Sequence, residues 1–139
     1  MESMGLCPFC DIAINTQKIT ENKTCILTVC LAPYHQHHLL VIPKRHVEKI
    51  IDLTKEESDD SAELQKVAIS LMNKLGHDNL SLFTKEGLSS AKTVNHVHFH
   101  VVPEIHLTNT ENTMIENREV ITPYQMSHSV AKFKNILVN

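Results

Sequence analysis

Residues 96–103, His-Val-His-Phe-His-Val-Val-Pro, put a histidine at every second position. A period of two is that of a strand, on which residues i, i+2 and i+4 share a face. Val97, Phe99, Val101 and Val102 suit a pleated surface, and Pro103, which has no amide hydrogen to give a ladder, predicts the strand's end. The apolar side then packs on a core, and the histidine side looks into something wet, charged or metallic. At about 3.3 Å per residue, His96 and His98 stand about 6.6 Å apart, and His96 and His100 about 13 Å. Metal–ligand bonds are only about 2 Å long, so one ion cannot easily collect all three, and the stretch predicts two neighbouring sites. The plain alternative is the polar outer face of an edge strand. Three histidines of three, with nothing else polar between them, weigh against it, because histidine exchanges protons near neutral pH.

The rest of the chain bounds the setting. Its 139 residues suffice for one domain, 1–139, around a single core. A net charge of -3 and no dense Lys/Arg cluster argue against long nucleic acid as a partner, though not against a single nucleotide. No apolar leader opens the chain and no run approaches the ~20 apolar residues of a membrane span, so the expectation is a cytoplasmic protein. In that reducing setting, cysteine pairs more often bind metal or do redox chemistry than form structural disulfides. Cys7-Pro8-Phe9-Cys10 can chelate one zinc from a tight turn, act as a redox pair, or be two small apolar residues. No βαβ pattern surrounds the pair, which speaks against redox chemistry, and the zinc reading needs two further ligands.

Cys25–Ala32 and His38–Ile42 read as two strands joined by a loop at 33–37, with His35 and His37 on the loop surface and Cys25 and Cys30 buried. Thr54-Lys55-Glu56-Glu57 is a capping box. After it, Leu64, Val67, Ala68, Leu71, Met72 and Leu75 recur at helical spacing, and Gly76 stops the helix. The acidic run Glu56, Glu57, Asp59 and Asp60 reads as the solvated helix start, favoured by the helix dipole. Leu80–Thr84 is a further short strand. Beyond Pro103 the pattern weakens: 109–122 is polar with no clear period, and 130–138 is a weak apolar segment of undefined type. Strand, strand, helix, strand, strand predicts an antiparallel α+β domain, with the motif-bearing core at 7–103 and a C-terminal segment, 104–139, of undefined structure.

Three stretches together resemble the histidine triad (HIT) family. His96–Val102 matches the alternating signature; His38-Leu39-Leu40-Val41-Ile42-Pro43-Lys44-Arg45-His46 resembles the family's histidine strand and Ile-Pro-Lys marker; Cys7–Ile12 looks like the opening of its zinc-containing members. The resemblance implies a homodimer with a five-stranded antiparallel sheet per subunit and a long helix. It implies nucleotide substrates, AMP-like by family default, whose α-phosphate carries a leaving group. His98 matches the family nucleophile, and His100 and His38 match the histidines lining the phosphate site. His46 and His96 match the two remaining ligands of a structural zinc with Cys7 and Cys10. Thr93 joins His100 and His38 as a candidate phosphate donor. The implied activity is that of an adenosine 5′-phosphoramidase-like hydrolase working through a nucleotidyl-histidine.

The chain departs from the family pattern at three places. Cys30 stands where members often carry an acidic residue or Asn for the ribose hydroxyls, and a thiol is a poor hydrogen-bond partner. Ala91-Lys92-Thr93 stands in place of Gly-Gln and the Ser/Thr of the phosphate loop, so that Lys92 meets a phosphate as a point charge or projects into solvent. Glu104 follows the proline where many members have Arg, and a negative charge there would discourage long polyphosphate tails. Two alternatives of the same fold follow: a nucleotide-binding or signalling module that has lost catalysis, and a dinucleoside polyphosphate hydrolase, which Glu104 disfavours. A metal-dependent barrel of cupin type, using His98, His100 and Glu104, is a third reading; three glycines and a long helix fit it poorly.

Overall fold

The computed structural model describes residues 7–87, 94–105 and 118–139. Strands β1 (Lys18–Glu21), β2 (Cys25–Val29), β3 (Leu39–Pro43), β4 (Leu80–Phe83) and β5 (Phe99–Pro103) form one sheet in the order β1-β2-β3-β5-β4. Every neighbouring pair is antiparallel. Helices α1 (Lys55–Lys74) and α2 (Pro123–Val138) complete the α+β domain that the pattern predicts.

Alternation along the central strands divides the molecule. Cys25, Leu27, Val29, Leu39, Val41 and Val101 point to one face, where they bury Leu64, Ala68, Leu71 and Met72 of α1 and Met126, Val130 and Phe133 of α2. Ile26, Leu40 and Ile42 point to the other, with Ile14, Cys30 and Phe9. His100 pairs with Leu40 across β3 and β5. Its position puts it on the second face, so the sheet separates the helix-covered core from the histidines.

The acidic start of α1 is less solvated than its sequence suggests. Thr54 and Glu57 form the expected capping box, but Glu57 is buried and takes a two-pronged grip from Arg45, Nε to Oε2 at 2.9 Å and Nη2 to Oε1 at 2.8 Å. That bond holds the Glu57 carboxyl at about 2, well below the usual carboxylate range. Asp60 accepts from both the amide and the hydroxyl of Thr24, at 3.1 and 2.6 Å. The helix start is thereby bolted to the β1–β2 turn and to the segment after β3. Gly76 follows the helix with φ 91°, the left-handed geometry that suits glycine.

Two expectations need correction. The histidine stretch is a strand only from Phe99; His96, Val97 and His98 precede it, and the Val97 amide bonds the Val47 carbonyl at 2.7 Å instead of a sheet neighbour. His37 is no surface residue either. It packs edge-on against Phe133 and sits inside a hydrogen-bonded chain. The Lys132 ammonium donates to His37 Nε2 at 3.1 Å; His37 Nδ1–H then donates to His77 Nε2 at 2.8 Å, and His77 Nδ1–H to Glu104 Oε2 at 3.0 Å. This chain ties α2 to the ends of α1 and β5. Burial, with the Lys132 charge, pushes the His37 imidazole down to about 4.

The same contacts dispose of the barrel reading. Glu104, also bonded by Asn79 at 3.3 Å, is engaged with His77 rather than with His98 or His100. No helix among the described residues is long and apolar enough to cross a membrane.

Candidate active site and metal centre

Cys7, Cys10, His46 and His96 bring their ligand atoms within 4.8 Å of one another. The Cys7-to-Cys10 turn closes with the Cys10 amide on the Cys7 carbonyl, 3.1 Å away. His46 follows β3, and His96 comes from the segment before β5. Cys7 Sγ lies 3.5 Å from His96 Nδ1, and Cys10 Sγ lies 3.1 Å from His46 Nδ1 and 3.6 Å from His96 Nδ1. Tetrahedral zinc with its usual bond lengths sets S···N edges of about 3.5 Å, so the donor set fits zinc. Both histidines also have their remaining nitrogen oriented. His96 Nε2–H donates to the Pro43 carbonyl at 2.8 Å, and His46 Nε2–H to Glu48 Oε2 at 3.0 Å, the second-layer bonds that aim an imidazole at a metal. Burial keeps His96 below its ordinary value and therefore neutral, as a ligand must be. Burial and the neighbouring Cys7 push the Cys10 thiol up to about 11; a divalent cation supplies the charge that lets thiolates form. Two thiolates and two imidazoles fill a tetrahedron, so the zinc is structural.

His98 lies two residues on and lines a cavity instead of the metal cluster. Its Nδ1 is 2.7 Å from the carbonyl oxygen of His96. A carbonyl only accepts, so Nδ1 carries the proton and Nε2 the lone pair. Phe9 packs edge-on to the ring with centroids 5.0 Å apart, and the Thr84 hydroxyl holds the His98 carbonyl at 2.7 Å.

His38 and His100 settle each other's tautomers. The Tyr34 amide donates to His38 Nδ1 at 3.0 Å, so the His38 proton is on Nε2. That nitrogen donates to His100 Nδ1 at 2.9 Å, which leaves the His100 proton on its Nε2. Phe83 stacks flat on His100, with centroids 4.5 Å apart and 9° between planes. Burial drives both imidazoles down, His38 to about 3 and His100 to about 2, so both are neutral at physiological pH. The site thus offers one ring nitrogen with a lone pair and, from a second ring, an oriented N–H donor.

These side chains open on a cavity of about 220 Å³. Phe9, Leu31, Leu40 and Cys30 give it apolar walls; His98, His100, Tyr34, Lys85 and Arg118 give it polar ones. Cys30 is buried as expected, with burial pushing its thiol up to about 11, so it stays protonated. Lys92 and Thr93 lie outside the described residues. Glu104 does not line the cavity.

Sequence reasoning missed Phe9, Tyr34, Lys85 and Arg118 as cavity residues. Lys85 and Arg118 come from stretches without a period, and no local signal marks them.

A family model described as HIT domain matches residues 12–107. The chain belongs to the HIT domain family. Among its relatives, the adenosine 5′-monophosphoramidase hnt1 of Schizosaccharomyces pombe is 32% identical over 101 residues, covering 70% of this chain and 74% of that one. The bis(5′-adenosyl)-triphosphatase of Dictyostelium discoideum is 33% identical over 90 residues, covering 64% and 60%. A zinc-bound histidine triad family protein from Mycobacterium smegmatis superposes with a TM-score of 0.72 at 23% identity, over 95% of this chain and 93% of that one, which shows the shared HIT fold. As a HIT protein, the chain is a nucleotide-binding hydrolase in class; which conjugate it cleaves is a finer question.

Proposed function

We propose that this HIT protein cleaves nucleotide conjugates at the α-phosphate, of the nucleoside phosphoramidate type, through a covalent nucleotidyl-histidine. The observation that carries the reading is the 2.7 Å bond from His98 Nδ1 to the His96 carbonyl, which leaves the lone pair on Nε2 and supports His98 as the nucleophile. Nε2 forms a bond to the α-phosphorus as the bond from phosphorus to the leaving amine breaks, and the amine leaves with a proton taken from solvent. Water then attacks the same phosphorus and gives up a proton to solvent, which releases the nucleotide and returns the electron pair to Nε2. His100 Nε2–H, its tautomer set by His38, is the donor we assign to the phosphoryl oxygens as negative charge builds there, a role worth several kcal/mol when the donor is preorganised. Lys92 and Thr93 remain candidates for the phosphate loop, and Cys30 for the ribose side of the cavity. The zinc holds the segment that carries His98 and takes no part in the bond changes. The single domain, 1–139, is proposed to work as a cytoplasmic homodimer, testable by sedimentation.

Release of AMP from adenosine 5′-phosphoramidate by the wild type and by His98→Ala is the test. Turnover in the wild type alone supports the mechanism. Equal turnover in both overturns it; AMP binding with no turnover in either favours the binding-module reading. The hydrolysis of dinucleoside polyphosphates regains ground on one observation: Glu104, the residue expected to repel a polyphosphate, is engaged with His77 and Asn79 outside the cavity.

A further inference from the structure

Arg118 and Lys85 approach the cavity from segments far apart in sequence and meet on one side chain. The Arg118 guanidinium lies over the Tyr34 ring at 4.1 Å from its centroid, and its Nη1 donates to the Ala32 carbonyl at 2.7 Å. Lys85 Nζ is 3.3 Å from the Tyr34 hydroxyl and 5.9 Å from the ring centroid. Tyr34 in turn stacks on His38, with centroids 5.4 Å apart and 15° between planes, and stands 6.3 Å from His100. The two positive charges are therefore held about one side chain away from the histidines. The Ile121 amide, bonded to the Leu31 carbonyl at 3.0 Å, clamps the Arg118 segment to the cavity wall. No acidic side chain is among the described residues lining the cavity. Both charges also help burial to keep His100 neutral.

A substrate's α-phosphate meets the lone pair of His98 Nε2 and the N–H donor of His100. Two further fixed cations exceed what that one phosphate uses, and like charges held in one cavity with no carboxylate favour a second anion. We infer that Lys85 and Arg118, mounted on Tyr34, form an anion subsite that selects conjugates whose leaving group carries its own negative charge close to the scissile bond. The inference rests on the proposed reaction and narrows its substrate class. The shared chemistry is an anionic group beyond the α-phosphate, either the carboxylate of an amino-acid amine or a further phosphate. Arg118 gives the C-terminal segment a part in choosing the substrate.

Two matched pairs of probes test it. The first compares kcat/KM for the adenosine 5′-phosphoramidates of glycine and of glycinamide, which differ in the charge of the leaving group. The second compares the affinity of ADP and AMP for the His98→Ala protein, which needs no turnover. The wild-type site should favour glycine over glycinamide, or ADP over AMP, by at least tenfold. Lys85→Gln with Arg118→Gln should bring that ratio close to one, and Arg118→Lys should keep most of it. A preference confined to one pair identifies the carboxylate or the phosphate as the source. Ratios near one for the wild-type site in both pairs overturn the inference. So do ratios that the double substitution leaves unmoved, which would mean that the cations serve the α-phosphate alone. Turnover that survives His98→Ala would sink the covalent mechanism while leaving the ADP/AMP comparison to decide the subsite. Failure to bind either nucleotide overturns both.

Discussion

The carbonyl oxygen of His96 accepts the Nδ1 proton of His98 at 2.7 Å, so the backbone of a zinc ligand orients a ring that lines the cavity. His96 Nδ1 faces the two cysteine sulfurs while its own carbonyl faces His98. The structural metal and the proposed nucleophile thus share one residue.

Removing the metal should therefore reach the active site. Cys10→Ser should abolish zinc binding, measured by elemental analysis. It should lower the melting temperature by about 5–10 °C, the scale of a loss of about 2 kcal/mol in a domain of this size. Turnover should fall in parallel because the His96 carbonyl is no longer pinned. Full activity in a zinc-free protein would contradict the coupling.

The His38–His100 pair predicts a different signature. His38→Asn removes the ring that sets the His100 tautomer, and kcat should drop roughly 100-fold, the low end of the scale for a proton-handling side chain. KM should move by only a few-fold. An unchanged kcat would show that His100 needs no orientation by His38.

Acid should weaken the fold well before carboxylates protonate. His37, His38 and His100 are pushed down to about 4, 3 and 2 by burial, whereas the unfolded chain binds these protons near 6.5. Between those limits the unfolded state holds more protons, so stability rises with pH and is lost as pH falls below 6.5. One such group contributes up to about 1.4 kcal/mol per pH unit. Urea unfolding at pH 7.5, 6 and 5 measures the slope, and repeating it with Cys10→Ser removes any share from zinc release. A flat profile in that background would refute the assignment.

Glu57 carries two duties at once, capping α1 and pairing with Arg45. Glu57→Ala should cost about 2–3 kcal/mol in chemical denaturation, somewhat below the scale for breaking a fully buried pair because the Arg45 side chain is 51% exposed. Its folded value is depressed to about 2, so this contribution is present above pH 4.5 and fades as pH falls through about 2.

Phe133 tests whether α2 belongs to the core. It is fully buried against the sheet face shared with α1 and packs on His37. Phe133→Ala should cost about 3–5 kcal/mol. A loss under 1 kcal/mol would mean that α2 is a detachable appendage.

Much of this was readable from local pattern. The two runs around 33–37, the Thr54 capping box with its helix, and the separation of His96 from His100 all follow from periodicities or spacings within a few residues. α2 was readable in part: Thr122-Pro123-Tyr124-Gln125 is a capping box with proline at the first turn, and Met126, Val130, Phe133 and Leu137 fall on one helical face. The polar stretch before it hid that signal. β1 is four residues long, too short for its alternation to stand out.

By itself, then, the sequence determined the sheet-and-helix domain and the histidine and cysteine positions from which the zinc site and the histidine wall of the cavity are built, because alternation, capping and ligand spacing act over short stretches of chain. Tertiary structure alone decided which charges face what. It buried Glu57 beneath Arg45, turned His37 from a loop residue into a link between Lys132 and His77, and drew Glu104 away from the cavity. It also laid Arg118 across Tyr34 by anchoring it to a carbonyl 86 residues earlier in the chain. Burial and charge pairing depend on which faces meet after the sheet and helices pack, and a one-dimensional pattern does not record that.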